Sequence, residues 1–253
     1  TIRIILRKIL AKYANLLGLG GKTGVSLPRE VPGLIPSKAW KQRVLKDEWH
    51  LGETLSCVIG QSYVLTTPIQ LAYAYAAIAN GGKHFKPLLI KEIFDNEGEI
   101  KYLGKIELAS EIKLKPKTLS LLRKGLFEAV NAPSGTAFSQ RGKGIRMGGK
   151  TGTSQVIRLA ADKVYTKCES YEYKYRHHGL FVSFAPIDDP KIAIAVVIEH
   201  GCHGSSAAAP VAREMTTTYI KKYWPSLYEK YLAEEKNSPM TFLTCTNKSR
   251  RSV

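Results

Sequence analysis

Residues 144–157 read GIRMGGKTGTSQVI, and two quite different folds compete for them. Gly144 to Thr151 fits G-x-x-x-x-G-K-[ST], a loop that cradles phosphates when a buried strand precedes it and a helix follows. Neither neighbour suits. The preceding residues, SQRGKG, are too polar for a buried strand, and Gly152-Thr153-Ser154-Gln155-Val156-Ile157 is a poor helix start and a good strand. On the other reading, Lys150-Thr151-Gly152-Thr153 lies on a β-strand at the rim of a cleft. There the Lys brings positive charge, and Thr151 offers a hydroxyl to a carboxylate. Gly152 lets a ligand backbone approach closely. Thr153 adds a second hydroxyl, and its backbone N–H can serve an oxyanion hole.

The same pentapeptide, GGKTG, occurs earlier at Gly20–Gly24. That copy has Leu16 where a phosphate loop needs its first glycine, and Val25 after its last one. It runs into Pro28 and offers no strand, so only the second copy is a candidate for chemistry.

Outward from the second copy, GLFVSFAP (179–186) and KIAIAVVIEH (191–200) are apolar, β-branched runs joined by Ile187-Asp188-Asp189-Pro190. They are expected to pair antiparallel. TTPIQLAYAYAAIANGG (66–82) is the clearest helix. Thr67 caps it, Pro68 fits the first helical position, Gln70 completes a capping box, and Asn80-Gly81-Gly82 ends it. Leu71, Ala74, Tyr75, Ile78 and Ala79 form its packing face. Further helices are expected over Leu119–Val130 and Ala207–Tyr219, and an amphipathic one at the start through Ile4-Ile5, Ile9, Tyr13 and Leu16-Leu17. Phe85–Ile106 reads as two strands turning at Asn96-Glu97-Gly98. Val25–Lys46, with three prolines, reads as an irregular loop.

The length of 253 residues and 44% hydrophobic content suit a globular protein. The net charge of +17 is scattered over Arg3–Lys12, Lys38–Lys46, Lys113–Lys124 and Lys248–Arg251. It reads as solvated loops and helix faces, not as a nucleic-acid surface. Cys57, Cys168, Cys202 and Cys245 show no CxxC spacing and no regular framework, and say little about compartment. The start, TIRIILRKILAKYANLLGL, interrupts its apolar run with basic residues and is not expected to span a bilayer. With no initiator Met, the chain reads as beginning inside a longer sequence.

Longer stretches stand in a familiar order. GGKTGVSLPREVPGLIPSKAWK, IGQSYVLTTPIQLAYAYAAIANGG, VNAPSGTA (130–137), GGKTGTSQV, HHGLFVSFAP, IAIAVVIEHG and APVAREM together resemble the C-terminal part of the transpeptidase domain of class B penicillin-binding proteins, and within them the elongation-type penicillin-binding protein 2. Ser62 stands where that family usually has Gly. The resemblance implies an α/β domain of α+β type, a central antiparallel sheet flanked by helices, here incomplete. The resemblance runs from about Leu16 to about Tyr219; residues 1–233 are expected to form the transpeptidase portion, and 234–253, which lack periodicity, read as a disordered basic tail. The resemblance also implies D,D-transpeptidation of peptidoglycan stem peptides through an acyl-serine, with β-lactams as inhibitors, no cofactor and no metal. Lys150, Thr151, Gly152 and Thr153 become the substrate-binding residues. The family is anchored in the inner membrane with its catalytic domain on the periplasmic face.

The S-x-x-K nucleophile motif and the S-x-N motif should precede all of these stretches. The chain's S-x-x-K is Ser110-Glu111-Ile112-Lys113, misplaced in the order and followed by Pro116; no S-x-N occurs. The expectation is therefore a fragment that keeps the K-T-G strand, lacks the nucleophile and is inactive alone. Alternatives are a non-enzymatic remnant, or a partner-binding half of a split protein that meets its missing N-terminal half or the elongation machinery. A phosphate-loop protein is the weaker alternative.

Two smaller sets read as structural. His200-Gly201-Cys202-His203 is too tight to close a metal site and reads as a turn. Tyr165, Tyr171, Tyr173 and Tyr175 among Lys163, Lys167, Lys174 and Arg176 read as a loop near the cleft.

Overall fold

A computed structural model describes residues 2–157 and 166–237. Its centre is a three-stranded antiparallel sheet in the order β5–β6–β7, formed by Gly148–Ser154, His178–Ala185 and Ile192–Ile198. The two apolar runs pair as their sequences require, from Gly179 opposite Ile198 to Ala185 opposite Ile192. β5 pairs with β6 from Gly148 opposite Phe184 to Ser154 opposite His178.

Alternation along the strands sorts their side chains into two cores. Phe181, Ala185, Ile194 and Val196 face one way and pack on Ala208 and on Ala209 and Ala212 of the closing helix that follows it, α6 (Ala209–Tyr223). Phe184 and Ala193 face the other way, against Tyr75, Ile78 and Ala79 of α4 (Pro68–Ala79) and Leu119 and Leu126 of α5 (Pro116–Asn131). The result is three layers, helix, sheet and helices. Small residues on α6 and α4 let both helices lie close to the sheet. Phe181 and Phe184 are almost fully buried, each contributing about 1.5–3 kcal/mol of transfer free energy.

α4 starts as its sequence dictates. Thr67 Oγ1 accepts from Gln70 N at 3.3 Å, and Gln70 Oε1 accepts from Thr67 N at 2.9 Å. Gln70 does more than cap. It is fully buried, and its Nε2 donates to Gly21 O at 2.6 Å and Pro32 O at 2.7 Å. One side chain thus ties the loop after α1 (Ile2–Leu16) to the helix start. The expected hairpin is present as β2 (Glu92–Phe94) and β3 (Ile100–Leu103), flanked by the pair β1 (Lys83–Phe85) and β4 (Leu108–Glu111).

Three features differ from expectation. Val25–Lys46 is not wholly irregular: α2 occupies Lys38–Leu45, with Ser37 Oγ accepting from Trp40 N at 3.1 Å. The three prolines obscured a Ser N-cap just beyond the last of them. Lys41 on α2 is not solvated either. It is 1% exposed and pairs with Asp47 and Glu53, both at 2.7 Å, the latter on α3 (Leu51–Val58). At the far end, α7 runs from Pro225 to Asn237, past the boundary expected at 233. Glu235 Oε1 accepts from Gly144 N at 3.1 Å, so the start of the expected tail is held to the domain. Residues 238–253 lie outside the described residues.

Burial and hydrogen bonding together set the acid response. Burial pushes the imidazoles of His84 and His177 below their usual range, and for His177 the charges of His178 and His203 add to this. A histidine depressed in the folded state binds fewer protons there than when unfolded, so its contribution to stability declines as pH falls below about 6.5. Glu30 and Glu53 are held below the usual carboxylate range. Hydrogen bonds from Thr23 and Gly24 do this for Glu30; for Glu53, burial opposes the shift and Lys41, His50 and Tyr63 outweigh it. Their contribution is present above about pH 4.3 and is lost as pH falls through their folded values. Thermal melts at constant ionic strength are expected to show the midpoint falling in two stages between pH 7.5 and 3. A midpoint unchanged down to pH 5 would remove the histidine stage.

Candidate active site

The two GGKTG copies take different conformations for reasons visible in their neighbours. The first is a loop folded around a carboxylate. Thr23 is buried, and its N and Oγ1 both donate to Glu30 Oε1 at 2.6 Å; Gly24 N donates to Glu30 Oε2 at 3.2 Å. Its anion is supplied by the chain itself.

The second copy is strand β5. Its two leading glycines are demanded by packing: a Cβ on Gly148 would lie 2.7 Å from Ile187 Cδ1, and one on Gly149 2.6 Å from Phe181 Cζ. Gly152 is different. A Cβ there would meet Leu180 Cβ at 3.4 Å, a contact the fold can accommodate. Its missing side chain therefore leaves open space that internal packing does not require. β5 pairs with β6 on one side and has no strand on its other side among the described residues.

α5 and the turn after it buttress this strand. Asn131 Nδ2 donates to Met147 O, just ahead of β5, and to Phe127 O, both at 2.8 Å. Gly135 sits where a Cβ would lie 2.5 Å from the carbonyls of Glu128 and Ala129, so only glycine lets the turn fold back on α5. Ala137 N closes it by donating to Ala129 O at 3.0 Å. The turn presents Thr136, whose Oγ1 accepts from Thr151 Oγ1 at 3.2 Å. Lys150 is exposed, and its Nζ donates to Thr151 O at 2.9 Å with Thr151 Oγ1 at 3.4 Å. From the segment after α3, Gln61 Nε2 donates to Thr153 O at 2.9 Å. Gln61 precedes Ser62, whose φ of 64° is in the left-handed region that favours glycine. That is the position at which Gly was expected.

The structure therefore brings Lys150, Thr151, Gly152 and Thr153 onto one exposed strand. It adds Thr136 and Gln61, whose sequence positions carry no signal of contact with that strand. It does not bring Ser110 into any nucleophile geometry. Ser110 lies on β4 opposite His84, with its Oγ 3.2 Å from His84 Nδ1, and Lys113 follows outside any helix. A serine activated by S-x-x-K needs its lysine one helical turn away. The phosphate-loop geometry is also missing: Gly149-Lys150-Thr151 is extended within β5, and the described residues 155–157 that follow it form no helix.

At the end of β5 the cysteines and histidines form a structure the spacing did not reveal. Cys168 and Cys202 are joined by a disulfide, while Cys57 is free and buried. His200 N donates to His178 Nδ1 at 2.9 Å, and His203 Nε2 lies 3.3 Å from Glu169 Oε1. Among the described residues no group of three or more His, Cys, Asp or Glu side chains is arranged to hold a metal ion. Tyr173 packs on His200 with ring centres 4.9 Å apart, and Arg176 donates to the carbonyls of Tyr171 and Glu169 at 3.1 and 2.9 Å. Lys163 and Tyr165 lie outside the described residues. No helix among the described residues is long and apolar enough to cross a membrane.

Known proteins are similar to this chain in sequence and fold. The family model for the penicillin binding protein transpeptidase domain matches residues 7–217. Peptidoglycan D,D-transpeptidase MrdA of Acinetobacter baumannii is 38% identical over 206 residues, which are 78% of this chain and 29% of that protein. MrdA of Haemophilus influenzae is 34% identical over 227 residues, 88% of this chain and 34% of that one. The chain thus spans about a third of the length of these curated relatives. Among solved structures, Pseudomonas aeruginosa PBP2 in complex with WCK 5153 superposes with a TM-score of 0.68 at 32% identity, covering 86% of this chain and 44% of that one. PBP2 in its complex with MreC from Helicobacter pylori gives 0.68 at 29% identity, covering 87% and 38%.

Proposed function

The chain belongs to the penicillin-binding protein transpeptidase family, and from that premise we propose that it forms the substrate-holding wall of a peptidoglycan D,D-transpeptidase cleft. Lys150, Thr151, Gly152 and Thr153 hold the terminal carboxylate and backbone of a stem peptide, or the matching groups of a β-lactam. The observation that carries this is β5 itself: an exposed strand whose Gly152 is not demanded by internal packing. Positive charge from Lys150 and the Thr151 hydroxyl meet the carboxylate, and Gly152 lets the ligand backbone lie along the strand. Thr136 and Gln61 fix the strand at Thr151 and Thr153.

That Ser110, the serine of the chain's S-x-x-K, lies on a strand opposite His84 supports a reading in which the acylating serine is supplied from outside this sequence. The reaction needs the preceding portion of a family domain, and the chain alone is inactive. The Cys168–Cys202 bridge favours an oxidising compartment, in line with a periplasmic placement on the inner membrane. The H. pylori relative seen with MreC supports the elongation machinery as the partner class.

A second reading, a partner-binding half without chemistry of its own, is favoured by α3. Leu51, Leu55, Val58 and neighbouring Ile59 are 59, 63, 44 and 74% exposed, an apolar patch of the kind that docks another surface.

One experiment separates the readings. Residues 7–217 replace the matching segment of the A. baumannii relative, and the chimera and the isolated chain are each treated with a fluorescent penicillin. The chimera is expected to label and the isolated chain to keep its intact mass. A folded chimera that stays dark would leave only the partner-binding reading. A stoichiometric adduct on the isolated chain would overturn the missing-nucleophile reading.

A further inference from the structure

The proposed chemistry leaves Cys168 and Cys202 unused, yet their bridge closes the end of the sheet where the K-T-G-T segment stops. Ser154, the last residue of β5, pairs with His178. Two residues on, Val156 N donates to His177 Nδ1 at 3.3 Å. His177 O accepts from Cys202 N at 2.8 Å, and His177 N donates to Cys168 Sγ at 3.4 Å. His177 is therefore held between both bridged residues and the chain leaving β5.

The turn on the Cys202 side reaches the strand directly. A Cβ on Gly204 would overlap the Leu180 carbonyl and lie 2.7 Å from Gly152 O, so this backbone abuts the glycine of the substrate strand. The same turn holds His200 and Cys202 at φ 57° and 60°, conformations that side-chain-bearing residues keep only when their surroundings enforce them. Both cysteines are buried, at 7 and 3% exposed.

We propose that Cys168 and Cys202 are an oxidation site, the substrate of a protein disulfide donor, and that closing the bridge locks the outer half of β5. One cysteine thiolate attacks the donor disulfide and a donor sulfur leaves as thiolate. The second cysteine thiolate attacks the mixed disulfide and releases the donor as a dithiol. Two electrons pass to the donor and two thiol protons leave the chain. Only the functional consequence, a firmer ligand strand in the oxidising compartment, rests on the proposed role of β5; the lock is tested without any ligand.

The 253-residue chain, produced oxidised, is compared with the same chain reduced by dithiothreitol and with Cys168→Ser/Cys202→Ser. Alkylation after denaturation should modify two of the four cysteines in the oxidised chain and all four in the reduced one. Amide hydrogen exchange over 150–156, 177–180 and 200–206 should speed up at least about tenfold more than over α4 when the bridge is absent. Four alkylated cysteines before reduction overturn the site. Unchanged exchange, or acceleration equal in α4 (including loss of the folded state), overturns the lock. If the double variant does not fold, the reduced wild type makes the same comparison. Fluorescent-penicillin labelling of the chimera tests the role of β5 separately, so the two failures are distinguishable.

Discussion

In the chimera that supplies the acylating serine, Lys150→Ala is expected to slow β-lactam acylation by about 10²–10³, the usual effect of deleting one fixed donor or charge at a reacting centre. The reason lies in how little else at β5 is charged. Thr151 and Thr153 offer hydroxyls, Gly152 offers space, and Lys150 is the one cation of the strand. Its Nζ sits on Thr151 O and Oγ1, so it also orients the hydroxyl beside it. Lys150→Arg keeps the charge but replaces a compact ammonium by a planar fork, and should recover only part of the rate. Lys22→Ala makes the matched control. It alters the same pentapeptide in the first copy, where the carboxylate is Glu30 and the surroundings are a loop; acylation should be unchanged. Second-order labelling rates read all three variants. Equal rates for Lys150→Ala and Lys22→Ala would show that β5 does not meet the ligand carboxylate.

Strand and helix periodicity was the legible part of the molecule because it is local. The β6 and β7 runs, the α4 caps and the extended character of Lys150–Thr153 each depend on neighbours a few residues away. α2 was missed because Pro28, Pro32 and Pro36 dominate the stretch, although Ser37 supplies its start. Lys41 counted as one more surface cation. Its burial depends on Asp47 and Glu53, and nothing on α2 announces that those carboxylates fold over it. Contacts that complete the site are longer range still. Gln61 reaches Thr153 across 92 residues and the bridged cysteines are 34 apart. A hydrogen-bond partner at such distances has no periodicity to betray it. The glycines were legible as a motif but not by role: packing needs Gly148 and Gly149, and leaves Gly152 to something outside the fold.

Gln70→Ala is expected to cost about 3–5 kcal/mol, since it empties the place of a fully buried side chain and strips partners from three backbone groups at once. Thr67 N loses its capping acceptor, and Gly21 O and Pro32 O lose their shared amide donor. Each unsatisfied group costs about 1–3 kcal/mol, less where water can enter the space left behind. For a chain of this size that corresponds to roughly a 10 °C fall in thermal midpoint. Gln70→Glu sharpens the test. It keeps an acceptor for Thr67 N and nearly the same shape, but an ionised carboxylate would face two carbonyl oxygens and lose both donated bonds. The carboxyl should therefore titrate well above its usual range, so the Glu variant loses stability as pH rises through that raised value and regains part of it in mild acid, where a protonated oxygen can donate once. A cap residue that acted only on α4 would predict a different result, with Glu nearly neutral at both pH values and Ala costing about 1 kcal/mol. Melts of the two variants at pH 5 and pH 8 decide between them. The larger, pH-dependent loss would show that the first GGKTG loop, which contains Gln70's partner Gly21 and wraps Glu30, is part of the foundation on which α4 and the β5–β6–β7 sheet are packed.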